Sequence, residues 1–116
     1  MAARDAVSDL IRGNIDAIIL CSLSHCDSYG YEILKGIAQT SEGDYEMKEP
    51  SLYTSLKRLE KQGFVESYWG DETQGARRKY YRITNEGNQE LTESIDRWRR
   101  VRLIIDRLLD QEGGAQ

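Results

Sequence analysis

Apolar residues recur along the start of the chain at three- and four-residue spacings. Leu10, Ile11, Ile15, Ile18, Ile19 and Leu23 share one stripe, which predicts an amphipathic helix over 8–23. His25, Cys26, Asp27 and Ser28 break the stripe and offer Asp27 or Ser28 as an N-cap. Tyr29, Ile33, Leu34 and Ile37 then set a second helix, which Gly43 closes as a residue free to take positive φ. Pro50 pre-sets φ for the first turn of a third helix, and Gly63 ends it. Leu52, Leu56 and Leu59 form its buried face. At ~100° per residue the opposite face carries Pro50, Thr54, Lys57 and Lys61, with Ser51 and Arg58 at one edge and Tyr53 at the other.

Beyond Gly63 the period changes. The runs 64–69 and 77–83 are rich in aromatic and β-branched residues and read as two strands, joined by a loop over 70–76 with a glycine at each side. Thr84 can cap a last helix over about 85–109, ~37 Å long. Leu91, Trp98 and Ile105 fall at one heptad position and Ser94, Val101 and Leu108 at the other, flanked by Ile95, Ile104 and Leu109. So long a helix on so small a body calls for a second subunit. The expected seam is Ile11, Ile15, Ile18, Leu91, Ile95, Trp98, Val101, Ile105 and Leu108 of a homodimer related by a two-fold axis.

The fold class that follows is mainly α with a small β-hairpin: a winged helix-turn-helix, with a three-helix core, a two-stranded wing and a long C-terminal dimerisation helix. Residues 1–84 form the winged unit, 85–111 the dimerisation helix and 112–116 a flexible tail. The 116 residues, 39% of them hydrophobic, allow one modest core. The longest apolar run, 17–21, is far short of a membrane span. The N-terminus lacks the basic start and apolar stretch of a signal peptide, so a cytoplasmic location and no membrane partner are expected.

A net charge of −4 argues against a protein that coats nucleic acid indiscriminately. The basic residues are concentrated, however: Arg77, Arg78, Lys79 and Arg82 lie together with no acid among them. A basic helix face followed by a basic hairpin is the arrangement that duplex readers use. Ser51 and Thr54 are short enough for close approach to a major groove, and Lys57 and Arg58 can meet phosphates or guanine edges. One of Tyr80 and Tyr81 should pack inward and the other reach a phosphate, while Asp71 and Glu72 should keep the wing tip away from DNA. Gly75 would let the backbone come near.

Glu49 to Gly63, then Tyr68-Trp69-Gly70-Asp71, then Arg77 to Thr84 and Gly87, strongly resemble the PadR family of transcriptional regulators. Tyr29-Gly30-Tyr31-Glu32-Ile33 extends the resemblance, and the short length is similar to the compact, LmrR-like branch. The resemblance implies a dimeric repressor that binds double-stranded operator DNA through Ser51, Tyr53, Thr54, Lys57 and Arg58, with Arg77, Arg78 and Lys79 on the wing. It also implies a small aromatic effector stacked on Trp98 between subunits, in a space lined by Ile15, Ala17 and Ile18. Arg102 and its neighbours Arg99 and Arg100 would favour a neutral or anionic effector.

Two other readings compete. A winged helix can serve as a protein-interaction module, in which case the basic face would not matter to duplex binding. Cys21, His25 and Cys26 could hold a metal or sense oxidants, although too few ligands are evident. The plainer reading makes Cys21 a small core residue and His25 a polar helix end. With no nucleophile arrangement and no phosphate-binding glycine loop, neither enzymatic activity nor a cofactor or metal is expected.

Overall fold

The computed structural model describes residues 2–70 and 77–111, with side chains from Ala6 onward. The elements are α1 (Ala2–Ile11), a 3-10 turn (Arg12–Asn14), α2 (Ile15–His25), β1 (Ser28–Tyr29), α3 (Gly30–Thr40), α4 (Glu49–Lys61), β2 (Val65–Trp69), β3 (Lys79–Ile83) and α5 (Asn85–Leu109).

The first expected helix is therefore two helices. Asn14, at φ −115° and ψ 11°, leaves the helical region at the N-cap position of α2, without a side-chain cap. Gly13, beside it, weakens any helix that tries to run through. The apolar stripe continues across this break, which is why periodicity alone reads one element.

The start of α3 also differs from expectation. Its N-cap is Tyr29, in extended conformation and without a side-chain cap. Asp27 instead accepts a hydrogen bond from the Tyr68 hydroxyl at 2.5 Å and lies 3.8 Å from Arg82. Ser28 and Tyr29 pair with Tyr81 and Tyr80, adding a short third strand to the expected hairpin. The antiparallel sheet has the order β1-β3-β2, with Val65 opposite Ile83 and Trp69 opposite Lys79.

Helices α2, α3 and α4 enclose a core that includes Ile19, Leu20, Leu23, Ile33, Leu52, Leu56 and Leu59, closed below by Val65 and Tyr81. Gly63 takes φ 83°, and its N–H and that of Phe64 cap the Glu60 and Leu59 carbonyls, which ends α4 and turns the chain into β2. The Thr84 hydroxyl accepts from Gly87 N at 3.0 Å and donates to Gly63 O at 2.7 Å. One side chain thus caps α5 and ties it to the α4 stop.

Only the first part of α5 joins the core. Leu91 is 7% exposed and Ile95 packs against the same cluster. Leu91 therefore belongs to the protomer's own core and has almost no surface left for a dimer seam; heptad spacing marks burial without saying whose side chains do the burying. From Trp98 onward every described residue of α5 is exposed, rising to 77% at Leu109. The radius of gyration of 16.8 Å exceeds the ~13 Å of a compact domain near this size because α5 extends beyond the body. No helix among the described residues is long and apolar enough to cross a membrane.

Candidate nucleic-acid interface

Helix α4 buries Leu52, Ser55, Leu56 and Leu59 and turns Thr54, Lys57 and Lys61 to solvent. Among the described residues neither lysine pairs with a carboxylate. Ser51 is half-buried near the start of the helix. Tyr53 leans over the N-terminus of α3, where its hydroxyl fills the space that a side chain at Gly30 would need. Arg58 does not point freely outward. Its Nε donates to Asp16 Oδ2 at 3.0 Å and its Nη2 to Asp16 Oδ1 at 2.7 Å, while Nη2 also reaches Ser55 Oγ at 3.0 Å. Hydrogen bonding to Asp16 and the charge of that carboxylate hold the guanidinium above its ordinary pKa.

The wing cations are arranged on aromatic rings. Arg77 lies 5.5 Å from the Trp69 ring, Arg78 4.8 Å from Tyr29, Lys79 5.9 Å from Tyr81 and Arg82 4.9 Å from Tyr68. Arg82 is also bound to Glu66 at 3.4 Å. Tyr81 is buried, and burial pushes its phenol pKa up, with Glu60 and Tyr53 adding to the rise. Tyr80 is half-buried, stacked on Tyr68 at 5.7 Å and edge-on to Tyr29 at 5.3 Å. Tyr81 is thus the inward member of the pair, while Tyr80, on the other face of β3, packs between Tyr68 and Tyr29 of the neighbouring strands. Asp71, Glu72 and Gly75 of the expected wing tip lie outside the described residues.

A groove of about 370 Å³ runs between α1, α2 and α5, lined by Leu10, Ile11, Asn14, Ala17, Ile18, Cys21, Ser94, Ile95 and Trp98. It brings together Ala17, Ile18 and Trp98 of the expected effector site. Ile15, turned toward the core, and Arg102, farther along α5, are not on its wall. Cys21 is exposed on this groove rather than buried in the core, because it lies on the side of α2 opposite to Leu20 and Leu23. Cys26 is exposed as well, and among the described residues no three His, Cys, Asp or Glu side chains gather as a metal site.

A helix pair, a recognition helix with a cationic outer face and a sheet carrying further cations make this a winged helix-turn-helix protein of the transcription-regulator class. The chain belongs to the transcriptional regulator PadR-like family, whose profile matches residues 19–93. A transcriptional regulator from Clostridium thermocellum superposes with a TM-score of 0.80 at 45% identity, over 86% of this chain and 94% of that one. An uncharacterized protein of Lysinibacillus sphaericus is 43% identical over 89% of this chain and 94% of its own length. Bacillus subtilis PadR, solved in complex with operator DNA, superposes with a TM-score of 0.63 at 25% identity, over 70% of this chain and 46% of that one.

Proposed function

We propose that the chain regulates transcription by binding operator DNA as a homodimer, with α4 in the major groove and the wing strand against the adjoining backbone. The observation that carries this reading is the pairing of two independent cationic elements in a chain of negative total charge: Lys57 and Lys61 on the outer face of α4, and Arg77, Arg78 and Lys79 leading into β3. Thr54, Ser51 and Tyr53 flank the α4 cations and in this reading meet base edges and the sugar-phosphate backbone. The relative from Bacillus subtilis solved on operator DNA supports the same use of the fold. In this role the protein works in the cytoplasm, where the DNA is.

The exposed side of α5, with Val101, Ile104, Ile105 and Leu108, is the seam for the second copy, joined by Ile11, Ile18 and Trp98 around the groove. A small aromatic molecule held against Trp98, Ala17 and Ile18 between the subunits would shift the spacing of the two α4 helices and release the operator. Arg102, one turn past Trp98, favours a neutral or anionic molecule.

The test is duplex binding across a salt series. Lys57→Glu and Arg77→Glu should each weaken binding and flatten the plot of log K against log salt by about 0.9 per lost phosphate contact. Unchanged affinity and slope in both variants would transfer the fold to protein interaction instead.

A further inference from the structure

Asp16 and Arg58 stand 42 positions apart in sequence, and the fold sets them face to face across α2 and α4. Their contact is the two-toothed, side-on pairing of a guanidinium with a carboxylate, at 2.7 and 3.0 Å. Among the described residues, Arg58 is the cation of α4 that an acid holds; Lys57 and Lys61 are not so held. Arg58 sits at the edge of the α4 face that carries Thr54 and Lys57, so its fork is within one side-chain rotation of that face.

Both partners remain partly in water, with side chains 48% and 36% exposed for Arg58 and Asp16. Solvent screens such a pair, and it contributes little to the fold. Helices α2 and α4 are already held together by Leu20, Leu23, Leu52 and Leu56 of the core. The pair is therefore cheap to open. A phosphodiester also offers a guanidinium the same two oxygens that a carboxylate does. Asp16 itself lies in the first turn of α2, where the unpaired N–H groups of the helix end favour its negative charge whether or not Arg58 stays.

We infer that Asp16 is an internal stand-in for a DNA phosphate: it holds the Arg58 fork in the free protein and yields it when α4 docks on a duplex. This rests on the DNA-binding reading above. One guanidinium–carboxylate contact opens and one guanidinium–phosphate contact forms, so Arg58 adds little net affinity in the native chain. Asp16 thereby sets a ceiling on how tightly the protein holds non-cognate DNA, because the loss of its partner is charged to every encounter with a backbone.

The experiment compares the full chain with D16N, R58Q and the D16N/R58Q double variant. The probe is a random-sequence duplex of about two helical turns, read by anisotropy over a salt series, with a thermal melt for each protein. D16N should bind up to about fivefold more tightly, the worth of the exposed pair that no longer has to open, at an unchanged slope because Arg58 meets a phosphate in both proteins. R58Q alone should change affinity less than about threefold, and R58Q in the D16N background should erase the gain. A gain that survives without Arg58 would mean general repulsion by Asp16, and would overturn the inference. So would D16N that binds no better, or that fails to fold while R58Q folds. A native protein with no duplex binding at any salt would overturn the DNA-binding reading as well, whereas native binding with any of the earlier outcomes overturns this inference alone.

Discussion

The angle at which α5 leaves the body depends on a single missing methyl group. Gly87, in the first turn of α5, lies so close to the root of the hairpin that a methyl there would overlap the Phe64 carbonyl oxygen. The same methyl would lie 2.7 Å from Ile83 Cγ1 and 3.0 Å from the Phe64 carbonyl carbon. The Phe64 carbonyl is not free to retreat, since it accepts the Thr84 N–H at 3.0 Å. Gly87→Ala thus sets two effects against each other. Alanine improves helix propensity by about 1 kcal/mol, and forcing backbone apart in a packed region costs about 1–3 kcal/mol. Because the obstacle is backbone, the clash outweighs the gain, with a net loss of up to about 2 kcal/mol or several degrees of Tm. Gly36, inside α3, supplies the contrast: nothing lies within 4 Å of its Cβ position. Gly36→Ala should raise stability by up to about 1 kcal/mol. Thermal melts of the two variants, each against the native chain, decide the matter. A Gly87→Ala protein that melts well above the native one would refute the close docking of α5 on Phe64 and Ile83 at the root of the hairpin.

Stability should also fall at high pH. Burial pushes the Tyr45 and Tyr81 phenols above their ordinary pKa, and the hydrogen bond to Asp27 does the same for Tyr68. A raised folded-state pKa gives stability that is complete below the unfolded value near 10 and is lost as pH rises through the folded value, because the unfolded chain then binds fewer protons. Denaturant midpoints that stay level from pH 9 to beyond 11 would contradict this. Ile105→Glu places a charge in the outward stripe of α5 and should convert the proposed dimer to monomers by sedimentation without lowering the stability of the winged body; an unaltered mass would remove Ile105 from the seam.

Where the sequence carries a local signal, the elements were legible nearly to the residue. Thr84 marks the start of α5 through its own hydroxyl, and Pro50 and Gly63 bracket α4. Three features had no such signal. The break at Arg12–Asn14 falls between Ile11 and Ile15, which keep the helical stripe intact on either side. Strand β1 has two residues, too few for alternation to show, and it exists because β3 offers Tyr80 and Tyr81 an edge to pair with. The Asp16–Arg58 contact joins residues on two elements whose relative placement comes from the core, so no spacing along the chain could announce it. For the candidate site, the residue types on α4 and β3 were legible, whereas the partners that restrain Arg58 and Tyr80 were not.

The apolar line along α5 explains how one helix can serve two bodies. At ~100° per residue, Leu91, Ile95 and Trp98 cluster on one side, and Val101, Ile104, Ile105 and Leu108 cluster roughly a quarter turn away. The first group is spent on the protomer: Leu91 in the core, Ile95 against it, and Trp98 on the groove beside Ala17 and Ile18. The second group is exposed among the described residues. A helix that kept one straight stripe would have to share that stripe between its own body and a partner, whereas the offset lets a second copy approach without displacing α1 or α2. Trp98 falls where the two stripes meet, and it is 44% exposed. Under the proposed dimer, the residue that closes the protomer's groove is therefore also the first residue of the seam. A molecule that enters the groove would then act on the proposed subunit interface and on α2, the helix that carries Asp16 to α4, at the same time.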